Sequence, residues 1–145
     1  MISVKEIMTP REALFVMGPD DSVESAGRAM AVRAIHHIPV LDEGGSLIGI
    51  VSDRDVLAAA APTRPGAPTE SATMRLGDIM TTEIETVPSE CGVRHAALRL
   101  QALGVGCLPV VDEGELTGIV TDTDFVAVAI NLIELLEEAE PVKAE

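Results

Sequence analysis

Two short segments carry the groups best suited to chemistry. Ser52-Asp53-Arg54-Asp55 and Thr121-Asp122-Thr123-Asp124 each set a hydroxyl and a carboxylate three residues apart, directly after the apolar runs Gly49-Ile50-Val51 and Gly118-Ile119-Val120. A strand that turns into a helix leaves N–H groups unpaired at the helix start, which suits an anion. There, Asp55 and Asp124 can accept hydrogen bonds from paired sugar hydroxyls, while Ser52 and Thr121 with nearby amides can reach a phosphate. The same spacing is that of a capping box, in which hydroxyl and carboxylate only close the helix end. For either segment alone both readings stand; the recurrence of the same surround in one chain favours a site.

The copies differ in charge. His36-His37 in the first copy faces Gly106-Cys107 in the second, and Arg54 faces Thr123. Two clefts built on these segments are therefore expected to be unequal. Adjacent residues of a strand point to opposite faces, so the two histidines do not make a metal pair.

These segments belong to a longer duplication. Ile7-Met8-Thr9 returns as Ile79-Met80-Thr81, and Ile38-Pro39-Val40-Leu41-Asp42 as Leu108-Pro109-Val110-Val111-Asp112. The spacing drifts by only three residues, so insertions are confined to loops and both copies share one fold. Each copy reads β-α-β-β-α. In the first, the pattern predicts a strand at Ala13–Met17, a helix from Asp21 or Ser22, a hairpin from His37 to Val51 and a helix from Ser52 or Asp53. In the second it predicts a strand at Ile84–Val87, a helix at Gly92–Leu103, a hairpin from Cys107 to Val120 and a helix from Asp122. Residues 1–61 form repeat one, 62–73 a Pro-rich linker, 74–140 repeat two with an extended final helix, and 141–145 a tail. That final helix is apolar over a wide arc; packing within its own chain is expected, with a subunit interface as the alternative.

Composition narrows the partners. The 145 residues carry a formal charge of −14 and contain neither Trp nor Tyr, which argues against a phosphate backbone and against stacked bases. Nucleic acid is excluded on these grounds. Hydrophobic residues make up 47% and mean hydropathy is +0.31, yet no run is long enough for a bilayer. The start, Met1 to Glu6, lacks a charged leader and apolar run, so a cytoplasmic protein is expected. Cys91 and Cys107 stand outside any metal-binding spacing and read as small apolar residues in a reducing compartment.

Taken together, the paired Gly-aliphatic-aliphatic-(Ser/Thr)-x-x-Asp motifs, the Ile-Met-Thr segments and the Pro-Val-(Leu/Val)-Asp strands resemble the cystathionine β-synthase (CBS) domain family. The resemblance covers everything but the linker and tail. It implies an α/β fold of two tandem repeats packed as a pseudo-twofold module, with clefts for AMP, ADP, ATP or S-adenosylmethionine, and pairing into homodimers. It implies that Asp55 and Asp124 hold ribose, that Ser52 and Thr121 contact ribose or phosphate, that Ile38 and Leu108 touch adenine, and that His36 and His37, with Arg54, approach phosphates. Lys and Arg are few and dispersed, so a triphosphate would need Mg²⁺ or those local cations.

The leading expectation is a stand-alone regulatory module that signals to a protein target when an adenosyl ligand binds. The alternative is a ligand-free interaction module. A phosphotransfer enzyme using Asp53/Asp55 and Asp122/Asp124 as Mg²⁺ ligands lacks a positioned base, a P-loop lysine and a nucleophile in this sequence.

Overall fold

A computed structural model describes residues 1–61, 65 and 73–140. Most of the expected linker and the whole expected tail lie outside the described residues. The elements are β1 (Thr9–Pro10), α1 (Val23–Arg33), β2 (His37–Leu41), β3 (Leu47–Ser52), α2 (Asp53–Ala60), α3 (Leu76–Ile79), α4 (Val93–Leu103), β4 (Cys107–Asp112), β5 (Glu115–Thr121) and α5 (Asp122–Ala139), with 3-10 turns at Val4–Glu6 and Arg11–Ala13. The fold is mixed α/β, as the pattern predicts.

Each repeat centres on an antiparallel hairpin. In β2–β3, Ile38 opposes Val51 and Pro39 opposes Ile50; in β4–β5, Leu108 opposes Val120 and Pro109 opposes Ile119. Glu113 and Gly114, both at positive φ, close the second hairpin in a two-residue turn whose twist suits the strands. The helix of each repeat covers one face: Val23, Ala26 and Met30 with Ile38, Val40 and Val51 in one core, Ala96 and Leu100 with Leu108, Val110 and Val120 in the other. Spacing of three and four residues puts each set on one side of its helix.

The two repeats are interlocked. Leu76, at the start of repeat two, is fully buried in the core of repeat one, and Val4, its counterpart from repeat one, is fully buried in the core of repeat two. Matching main-chain bonds hold them: Leu76 N–H donates to Asp21 O at 2.9 Å and Val4 N–H to Cys91 O at 2.8 Å, while Val23 N–H reaches Met74 O and Val93 N–H reaches Ile2 O. Likewise Thr81 bridges β3 at Ile50, and Thr9 pairs with Ile119 of β5.

This exchange explains the motif glycines. A Cβ on Gly49 would collide with the Met80 side chain, and one on Gly118 would lie 2.6 Å from Thr9 O and 2.7 Å from Met8 Sδ. Only glycine lets the opposite Ile-Met-Thr segment lie so close.

Two expectations need correction. The strands at Ala13–Met17 and Ile84–Val87 shrink to single parallel bridges, Met17 to Val40 and Val87 to Val110. Ala13 is drawn into the 3-10 turn that follows Pro10, and Ile84 and Glu85 face a cavity instead of a neighbouring strand. Second, α5 does not pack along its own chain. Val126, Ile130, Leu132, Ile133, Leu135 and Leu136 are each at least half exposed, because the helix runs on past β5; Phe125, near its start, packs against the core. No helix among the described residues is long and apolar enough to cross a membrane.

Candidate functional site

A cavity of about 800 Å³ opens between the repeats, a size usual for a small-molecule site. Its walls come from both copies: His36 and His37 before and at the start of β2, Ser52 to Asp55 at the β3–α2 junction, Thr81 and Glu83 to Glu85 after α3, Leu103 to Cys107 from the end of α4 to the start of β4, and Asp122-Thr123 at the start of α5. Ile50, Leu103 and Val105 supply apolar surface.

The structure brings five of the nine expected residues to this cavity: His36, His37, Ser52, Arg54 and Asp55. The other four stand apart. Ile38 and Leu108 have no exposed surface, since alternation along the strand turns their side chains into the two cores. Thr121 and Asp124 do not line the cavity, which takes in the start of α5 only through Asp122 and Thr123.

Both hydroxyl–carboxylate pairs form capping boxes. Ser52 N–H donates to Asp55 Oδ2 at 2.9 Å while Asp55 N–H donates to Ser52 Oγ at 3.2 Å; Thr121 N–H donates to Asp124 Oδ2 at 2.8 Å while Asp124 N–H donates to Thr121 Oγ1 at 3.4 Å. The expectation of free amides at both helix starts is therefore corrected. At α5, Asp122 N–H donates to Gly106 O at 2.9 Å and Thr123 N–H to Asp122 Oδ1 at 2.8 Å, so its first turn is satisfied. At α2, Asp53 N–H donates to His36 O at 2.9 Å, and the Arg54 N–H alone of these first three lacks a partner among the described residues. The two ends differ at the preceding aspartate: Asp122 accepts the Thr123 amide, whereas its counterpart Asp53 faces His36 Nδ1.

Charge around the cavity is mixed. His36 Nδ1 lies 3.0 Å from Asp53 Oδ2. His37 reaches across to the second repeat, with its ring against Gly106. Burial lowers its pKa below the usual histidine value, against the opposing pull of Asp122 and Asp53. Burial, with Asp122 adding to it, pushes the Cys107 thiol up to about 12, so it is an inert buried thiol. Glu85 is paired with Arg99 of α4. Among the described residues no three His, Cys, Asp or Glu side chains cluster to hold a metal ion.

Sequence reasoning missed the second-repeat wall of Thr81 and Glu83 to Glu85. Its signal was present in the repeated Ile-Met-Thr segment, but the sequence does not say which hairpin that segment crosses to.

The CBS domain family model matches residues 4–62 and 76–131, one match on each repeat. The chain belongs to the CBS domain family. A CBS domain-containing protein of Dictyostelium discoideum is 31% identical over 139 residues, spanning 92% of this chain and 94% of its own. Among solved structures, a Vibrio cholerae protein assigned to acetoin utilization (AcuB) superposes with a TM-score of 0.80 at 37% identity, covering 97% of this chain and 99% of that one. CBSX2, crystallised in complex with AMP, superposes with a TM-score of 0.77 at 31% identity, covering 92% and 99%. The curated CBSX2 sequence, a chloroplastic protein of Arabidopsis thaliana, is longer, and this CBS chain spans 64% of it. A tandem CBS pair with the α/β module fold is thus shown by sequence and structure alike.

Proposed function

We propose that this CBS pair is a regulatory module that binds an adenosyl ligand in the inter-repeat cavity and passes the change to a protein partner. One observation carries the reading: the cavity joins the open amide and side chain of Arg54, His36, His37 and Ser52 with the apolar surface of Ile50, Leu103 and Val105. An anion end and an adenine end are thereby both provided. The AMP complex of CBSX2, a relative at 31% identity, supports the choice of ligand class, which extends to ADP, ATP and S-adenosylmethionine. In this reading Asp55 offers Oδ1 to ribose, its Oδ2 being held by Ser52, and any Mg²⁺ arrives with a polyphosphate.

Because the walls belong to different repeats, a ligand that prefers one spacing of the repeats shifts their equilibrium, and only by that difference in affinity. The exposed apolar residues of α5 support a second copy as the partner of that helix in a homodimer. Free Cys91 and Cys107 are in keeping with a reducing compartment such as the cytoplasm. No catalytic step is proposed, since Asp53 and Asp55 are engaged with His36 and the cap.

A second reading, an interaction module without ligand, is favoured by the two closed capping boxes. Thermal melting with AMP, ADP, ATP and S-adenosylmethionine separates them. Under the first reading a ligand at a hundred times its dissociation constant adds about 2.7 kcal/mol; under the second, none of the four moves the transition.

A further inference from the structure

We propose that the cavity favours adenosyl ligands with at most one phosphate, and that Glu83 and Asp122 are the side chains that turn longer polyphosphates away. The inference rests on the adenosyl reading above and adds to it a charge limit. Among the described residues Arg54 is the sole Lys or Arg on the cavity wall, and its N–H is the sole unpaired amide of the first three in α2. One guanidinium and one amide make a seat for a single phosphate. His36 Nδ1 already faces Asp53 Oδ2 at 3.0 Å.

The opposite charge is abundant. Asp55 is tied into its cap and Glu85 is matched by Arg99, which leaves Glu83 and Asp122 on the wall with no Lys or Arg in ion-pair reach among the described residues. They come from the second repeat, Arg54 from the first. A chain of phosphates growing from the Arg54 end meets them without a counter-cation. Each added phosphate brings at least one more negative charge toward these two unmatched carboxylates, which repel it. The copies explain why this wall is acidic: Glu83 occupies the position matched by Arg11 in repeat one, and Asp122 is followed by Thr123 where Asp53 is followed by Arg54.

The test is calorimetric titration of the full chain with adenosine, AMP, ADP and ATP in buffer containing EDTA. AMP is expected to bind at least as tightly as adenosine, ADP about tenfold more weakly than AMP, and ATP about a hundredfold more weakly. Glu83→Gln and Asp122→Asn should narrow the AMP-to-ATP gap severalfold, and Glu83→Arg should narrow it most. Both side chains are exposed, so these variants should fold. Wild-type protein that binds AMP but takes ATP equally well without divalent cation overturns the charge limit alone. An unchanged gap in all three variants overturns the assignment to Glu83 and Asp122. A chain that binds none of the four nucleosides and nucleotides overturns the adenosyl reading and this inference with it.

Discussion

The imidazole of His37 lies so close to Gly106 that a Cβ added there would sit 3.0 Å from both Cε1 and Nε2. A side chain of the first repeat thus rests on the main chain of the second, at the cavity wall. The duplicated positions are not interchangeable: where repeat one has His36-His37, repeat two has Gly106-Cys107, and the glycine makes room for the ring.

Gly106→Ala should therefore displace the His37 ring with little cost to the fold. The end of a side chain can swing away, so the stability loss is expected to stay within about 1 kcal/mol. Nucleotide affinity should change with the ring's position. Equilibrium unfolding in urea and calorimetric titration of the same preparation check both parts.

Gly49→Ala and Gly118→Ala should differ. At Gly49 the new methyl meets only the flexible Met80 side chain, whereas at Gly118 it meets the Thr9 carbonyl at 2.6 Å. A methionine can re-rotate; a paired strand cannot move without breaking its ladder. Gly118→Ala is expected to cost about 2–3 kcal/mol and Gly49→Ala about 1 kcal/mol. Urea midpoints of the two variants decide it, and an equal loss would contradict the interlocked packing.

The exchange of Val4 and Leu76 between cores predicts that neither repeat folds alone. Leu76→Ala should cost about 2–5 kcal/mol as a buried leucine truncation. A fragment of residues 1–61, which lacks Leu76, should show no cooperative unfolding transition by circular dichroism, while the full chain does.

Most of the fold could be read from periodicity, because the helices, hairpins and both capping boxes are local: Ser52 and Asp55 are three residues apart. What escaped is long-range. Nothing in Ile79-Met80-Thr81 says that it crosses to β3 of the other repeat and not to its own hairpin, so the Glu83–Glu85 wall was not foreseen. The run Ala13–Met17 looked like a strand since its residues are apolar, but Phe15 is called to the first core and only Met17 pairs. Ile38 and Leu108 were placed against a ligand by family likeness, while the strand's alternation sends their side chains inward. For α5, hydrophobicity revealed the need for a partner surface but not that its own chain would fail to provide one.

His37 also sets a pH dependence. Burial lowers its folded pKa below the unfolded value, so folding favours the neutral ring. Its contribution is fully present above the unfolded value of about 6.5 and is lost as pH falls from there through the folded pKa. Wild-type stability relative to His37→Gln should therefore decline as pH falls below about 6.5 and level off once the lowered folded pKa is passed. Urea unfolding of both proteins across that range checks the sign; a relative gain on acidification would contradict it.

The central claim is that an adenosyl ligand occupies the cavity beside α2, where Asp55 lies on the wall and Asp124 does not. AMP titrated by calorimetry into wild type, Asp55→Asn and Asp124→Asn tests this most directly. The account predicts one AMP per chain for wild type and Asp124→Asn, with affinity lowered at least tenfold in Asp55→Asn while its melting temperature stays near wild type. No heat of binding in wild type, or an equal loss in both variants, would contradict it.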